Sequence, residues 1–87
     1  MRARHIVLYS HHGCLGGQAA VSYLARHGLP FTLRDVGADV TARSEWRALG
    51  GFPTPVLVVD DRVLVGFDPK ELEEALARDN QDLGRGG

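Results

Sequence analysis

Apolar and polar positions along the chain follow two periods, and the switches between them mark out successive elements. Residues 5–9 (His5, Ile6, Val7, Leu8, Tyr9) are apolar and partly β-branched, and polar or glycine residues close them at 10–13. That is the pattern of a short buried strand. From 15 to 27 the period becomes helical, with Ala20, Val21, Leu24 and Ala25 on one face and Gly28 placed as a stop. Residues 30–36 set Phe31 and Leu33 against Thr32 and Arg34, the alternation of a half-buried strand. Residues 39–49 predict a second helix with Asp39 as its cap and Ala42, Trp46 and Leu49 facing inward, ended by Gly50-Gly51.

Val56 to Val59, the Asp60-Asp61 turn and Val63 to Val65 then read as a hairpin. Asp68-Pro69-Lys70-Glu71 is a helix-start signal: Asp68 caps, Pro69 takes the first helical position and Glu71 reaches back. Leu72, Ala75 and Leu76 supply the buried face of that last helix, and the tail from Asp79 to Gly87 loses the periodicity. The order β-α-β-α-β-β-α predicts an α/β domain in three layers. Strands joined through a helix are parallel, and a hairpin adds antiparallel strands to the same sheet. A single domain over 1–78 with a frayed polar tail over 79–87 is expected.

Length and composition narrow the function. The chain has 87 residues, 44% of them hydrophobic, with a formal net charge of −1, which suits one soluble domain and excludes wholesale disorder. A single cysteine, Cys14, excludes a disulfide scaffold and any zinc site built from several thiolates. No apolar run reaches the length of a bilayer span and no secretory signal is evident, so a cytoplasmic, non-membrane protein is expected. Near-neutral charge argues against nucleic-acid binding. The charges are nonetheless uneven: residues 1–34 carry four arginines and no acid, and residues 35–87 carry six basic against eleven acidic residues, a balance of −5. All four histidines, His5, His11, His12 and His27, lie in the positive part. Either those charges mix in space, or they set Cys14 in a positive field that favours a thiolate.

Cys14 falls where the loop after the first strand meets the first helix. The unpaired N–H groups and positive dipole end of a helix stabilise a thiolate there, and the glycines at 13, 16 and 17 would let a substrate approach the sulfur. A reactive thiol is favoured over a buried cysteine acting as a small hydrophobe. The pair His11-His12 beside Cys14 raises a metal reading, but adjacent histidines point apart and no fourth ligand is near in sequence, so no metal site is assigned. Exposed loop histidines that help stabilise the thiolate when protonated are expected instead.

Three segments, in order and without gaps, resemble the glutaredoxin family of the thioredoxin superfamily. Tyr9-Ser10-His11-His12-Gly13-Cys14 is similar to the segment leading to the family's active-site cysteine. Thr54-Pro55, followed by Val56 to Val59 and Asp60-Asp61, is similar to its cis-proline loop, strand and turn, and Val65-Gly66-Phe67-Asp68 to the glycine-containing segment before the last helix. The spacing most resembles small glutaredoxin-like redoxins that use thioredoxin-type reductants. The resemblance implies a thioredoxin-like fold with a four-stranded mixed sheet flanked by helices, Cys14 as nucleophile, and a cis bond before Pro55, with Pro53 as the competitor for that role. It further implies a substrate or glutathione groove from His11, Thr54, Pro55, Gly66, Phe67 and Asp68. Asp68 is explained by helix capping with or without a ligand.

Where dithiol relatives carry a second cysteine three residues after the first, this chain reads Cys14-Leu15-Gly16-Gly17. The implied reaction is therefore monothiol, with glutathione as co-substrate, none tightly bound, and glutathionylated or disulfide-containing proteins as partners of a monomer. His11 stands where the family often has lysine, and residues 48–55 lack the glutamine or arginine common before the cis-proline. Two alternatives remain open at this stage: a non-turnover binding module for an iron-sulfur cluster, a metal or a partner protein, and a redoxin dedicated to one partner enzyme.

Overall fold

The two central strands explain why an apolar run of only four or five residues suffices as the spine of the fold. In the computed structural model, which describes the backbone of residues 5–86 and the side chains of 5–77, strand β1 (Ile6–Ser10) lies between β2 (Thr32–Asp35) and β3 (Val56–Val59), and β4 (Arg62–Val65) completes the sheet in the order β2-β1-β3-β4. β1 runs parallel to β2 and antiparallel to β3, and β3 pairs antiparallel with β4. The register places Ile6 opposite Val59 and Leu8 opposite Leu57, while Val7 faces Val58 and Tyr9 faces Val56. Alternate residues point to opposite faces of a strand, so β1 and β3 need apolar side chains at almost every position.

Helices α1 (Leu15–Arg26) and α3 (Pro69–Gly86) cover one face, and α2 (Val40–Ala48) covers the other. On the first face Ile6, Leu8, Leu57 and Val59 pack with Ala20, Leu24, Leu72 and Ala75. On the second, Tyr9, Val36 and Val56 pack with Ala42, with Trp46 and Leu49 against them. This is the three-layer arrangement expected from the element order.

The helix boundaries have local causes. Cys14 caps α1, Asp39 caps α2 by accepting from the N–H groups of Thr41 (2.9 Å) and Ala42 (3.3 Å), and Asp68 accepts from Lys70 N–H at 3.0 Å at the start of α3. α1 ends in paired reversed bonds, Leu29 N–H to Leu24 C=O (2.9 Å) and Gly28 N–H to Ala25 C=O (3.1 Å), the Schellman arrangement that favours glycine at this position. At the hairpin tip Asp60 takes a left-handed conformation, φ 57°, and its carboxylate accepts from His5 N–H at 3.0 Å. The turn is thereby fastened to the start of β1.

Three features differ from the expectations. Leu33 pairs laterally with Leu8 and lies on the α1 side of the sheet, as the alternation requires, but it is 54% exposed. β2 is an edge strand, and Leu33 is left uncovered. Arg34, expected as an outward polar residue, packs on the α2 side, where its guanidinium grips Glu45 with two bonds of 3.0 Å. Finally, the polar stretch beginning at Asp79 continues α3 as helical backbone to Gly86. Residues 79–83 contain no glycine or proline, so no helix breaker stops the backbone where the apolar period ends. Residues 1–4 and 87, with Arg2 and Arg4 of the positive segment, lie outside the described residues.

Leu8 is fully buried in a central strand, so Leu8→Ala should cost about 3 kcal/mol of unfolding free energy. Leu33→Ala, at the exposed edge, should change it by no more than about 0.5 kcal/mol. Urea denaturation of the two variants checks the contrast.

Candidate active site

The parallel pair β1 and β2 delivers its connecting loops to one end of the sheet, and Cys14 sits there as the capping residue of α1. Its backbone is extended (φ −77°, ψ 109°), and its Sγ accepts from Gly17 N–H at 3.3 Å. Placed where side-chain oxygens usually cap, the sulfur meets amide groups that lack an intrahelical partner. Burial pushes the Cys14 thiol up, but four donors pull it down and prevail: the N–H groups of Gly17 and Gly16 and the hydroxyls of Ser10 and Thr54. The thiol consequently ionises below its ordinary value. Hydrogen bonds to the charged form are the cause.

Among the described residues no charged side chain is one of those donors. No described histidine is among them either. His11 and His12 are exposed, and His11 Nδ1 lies 2.9 Å from the carbonyl of His12 rather than against the sulfur. Among the described residues no group of three or more His, Cys, Asp or Glu side chains could hold a metal ion, and no helix is long and apolar enough to cross a membrane.

Of the expected groove residues, Thr54, Pro55, Gly66, Phe67 and Asp68 lie along the cis-proline loop and the segment leading into α3, and His11 lies apart from them. The Thr54-Pro55 peptide is cis, in agreement with the choice of Pro55 over Pro53. Pro55 lies so close to the first turn of α1 that a Cβ on Gly16 would stand 2.9 Å from its Cδ. Gly66, with φ +82°, donates its N–H to the carbonyl of Pro55 at 2.7 Å, which ties the segment before α3 to the cis-proline loop. Phe67 meets the Tyr23 ring edge-on, with centroids 5.6 Å apart, and the Tyr23 hydroxyl donates to Glu73 at 3.0 Å. Asp68 follows as the cap of α3. His11 lines a cavity of about 410 Å³ between α1 and β2 that reaches Cys14 itself and is walled by Ser10, Gly17, Gln18, Val21, Leu33 and Asp35.

Ser10 and the exposed Leu33 are the residues that sequence reasoning passed over. Ser10 is 6% exposed, and as a hydroxyl ending an apolar strand four residues before the cysteine it carried a visible signal. The glycines also behave otherwise than expected. The space beside Gly16 is taken by Pro55 and that beside Gly17 by Ser10, and of the three only Gly13 faces open space. Below the site, Tyr9 donates to Glu45 at 3.2 Å, joining the end of β1 to the Arg34–Glu45 pair. Burial first, and then Glu45, raise the Tyr9 phenol above its ordinary range, so it stays protonated as the donor.

These features are those of a thioredoxin-fold redoxin. The glutaredoxin family model matches residues 6–64, and the chain belongs to that family. Among solved structures, a variant of the thioredoxin-like protein BC3987 is 25% identical with a TM-score of 0.77, covering 83% of this chain and 94% of that one. The glutaredoxin-like NrdH-redoxin of Escherichia coli, whose activity profile is described as thioredoxin-like, is 24% identical with a TM-score of 0.72 over 80% of this chain and 92% of its own. A glutaredoxin from Archaeoglobus fulgidus shares the fold at 19% identity and a TM-score of 0.68, covering 79% of this chain and 82% of that one. No curated protein matches the chain.

Alkylation by iodoacetamide follows the thiolate. Its pH profile for folded protein should have a midpoint below that of the urea-unfolded chain. The unfolded chain then holds the thiol proton to higher pH, so stability relative to Cys14→Ser should rise with pH between the folded and unfolded pKa values. That gain is lost as pH falls through the folded pKa. Coincident midpoints for folded and unfolded chains would contradict the assignment.

Proposed function

We propose that the protein is a monothiol, glutathione-linked thiol–disulfide oxidoreductase. The observation that carries this reading is the placement of its one cysteine at the α1 N-terminus, with four hydrogen-bond donors favouring its thiolate, facing the cis-proline loop. Membership of the glutaredoxin family supports it. The Cys14 thiolate attacks the glutathione sulfur of a mixed disulfide; the substrate's S–S bond breaks and its thiolate leaves with the electron pair. A second glutathione, as thiolate, then attacks the glutathione sulfur bound to Cys14. Oxidised glutathione forms, and Cys14 leaves as thiolate.

Within this reading the remaining residues have distinct tasks. Thr54, beside the cis bond, offers its backbone to the extended glutathione chain. Gly66, Phe67 and Asp68 form the wall at its glutamyl end, where the N-terminus of α3 favours a carboxylate. His11 borders the opposite flank. The protein acts as a monomer on glutathionylated or disulfide-containing proteins in the cytoplasm, and glutathione passes through as co-substrate without staying bound. Delivery of an electron pair to one dedicated partner would require a second thiol, and the chain has none.

Intact mass spectrometry tests the reading. Incubation with oxidised glutathione should add one glutathione to the wild-type chain and none to Cys14→Ser, and reduced glutathione should then remove it. Failure to form the adduct, or an adduct that persists through the chase, would exclude turnover of this kind and favour a binding module.

A further inference from the structure

The position where dithiol relatives carry their second cysteine is neither vacant nor neutral in this chain. It is Gly17, and a Cβ built there would collide with Ser10 Oγ, stand 3.0 Å from Ser10 Cβ and lie 3.5 Å from Cys14 Cβ. A buried hydroxyl thus occupies the volume in which a side chain at position 17 would begin. Ser10 is 6% exposed, at the end of β1, and among the described residues no buried side-chain oxygen or nitrogen lacks a partner. That hydroxyl is one of the groups that favour ionisation of the Cys14 thiol. Gly17 meanwhile keeps its own N–H on the same sulfur at 3.3 Å.

We propose that Gly17 and Ser10 act as one device: the missing side chain at 17 admits the Ser10 hydroxyl to the Cys14 sulfur, and that hydroxyl speeds release of the glutathionylated intermediate. The inference rests on the monothiol reading and explains a step that reading leaves difficult. With no internal thiol to expel the bound group, release depends on an external low-molecular-weight thiolate attacking the glutathione sulfur. The bond that breaks is the one to Cys14, which departs with the electron pair while the new disulfide forms. Exchange is faster when the departing thiolate is better stabilised. A hydroxyl held beside Sγ donates to it as the negative charge develops. Position 17 therefore contributes to release through the space it leaves, where a second thiol would have contributed a nucleophile.

The test is a cycle of Ser10→Ala, Gly17→Ala and the double variant. Thiolate absorbance against pH reads the ionisation of Cys14 without any glutathione. A hydrogen bond to a charged group corresponds to a shift of about one pH unit, so Ser10→Ala should raise the midpoint by about that much. Gly17→Ala, which retains every donor but displaces the hydroxyl, should raise it comparably, and the double variant no further than either single one. The rate at which glutathione removes the adduct should fall several-fold in each, since a thiolate of higher pKa is the slower leaving group. An unchanged midpoint in Ser10→Ala, or shifts that add in the double variant, would overturn the inference. Ser10→Ala introduces no added atom, so its result stands even if Gly17→Ala proves poorly folded. Failure of the wild-type chain to take up glutathione would overturn the monothiol reading, with the ionisation data still interpretable; unchanged ionisation with intact turnover would overturn the Ser10–Gly17 device alone.

Discussion

The hydrogen bond from Gly17 N–H to the Cys14 sulfur joins the fold to its chemistry. A helix beginning at the end of a strand exposes amide groups that need acceptors, and in this domain the acceptor for α1 is the reactive atom itself. The cap and the nucleophile therefore cannot be tuned separately. Ionising the thiol strengthens the cap, and forming the helix stabilises the thiolate. The arrangement requires β1 to end at the right place, α1 to start at once, and the cis-proline loop to approach from the side, and the surrounding packing can be traced back to those three requirements.

β1 meets the first requirement because it is held on both faces and at both ends. Ile6 and Leu8 are locked into the layer beneath α1 and α3, and Tyr9 into the layer above α2. At one end Asp60 accepts the His5 N–H; at the other, Tyr9 reaches the carboxylate that Arg34 grips in fork geometry. Such bidentate pairs fix orientation as well as contributing energy. Ser10, the next residue, inherits that placement. Approach of the cis-proline loop depends on Gly16, where any side chain would press on Pro55.

The elements and the placement of Cys14 were legible in the sequence because each rests on local rules. Short apolar runs identified β1 and β3, alternation identified β2, caps marked α2 and α3, and the apolar period located α1. What escaped was set by neighbours distant along the chain. Alternation places Leu33 on the correct face but carries no information on whether a helix overlies that edge. Arg34 reads as solvent-facing until α2 brings Glu45 against it, eleven residues away. Gly17 reads as a gap in a motif, because the sequence does not show that the Ser10 hydroxyl fills it. The polar end of α3 misleads for a different reason, since a helix can continue past its apolar period where no glycine or proline interrupts it.

The source of the thiolate's stability also determines what the site responds to. Charge pairs weaken as salt screens them, and a site dependent on histidinium would change as imidazoles titrate near neutral pH. Short-range donors from Gly16, Gly17, Ser10 and Thr54 are open to neither influence, because none titrates in that range and each acts in direct contact with the sulfur. Two of the four donors are backbone amides fixed by the helix, which any residue type except proline would retain. The other two are hydroxyls, from β1 and from the cis-proline loop, and only these depend on side-chain identity. Variation in thiol reactivity among chains of this architecture can thus enter through positions 10 and 54, and through position 17 by the space it leaves, without alteration of the helix that carries the cysteine.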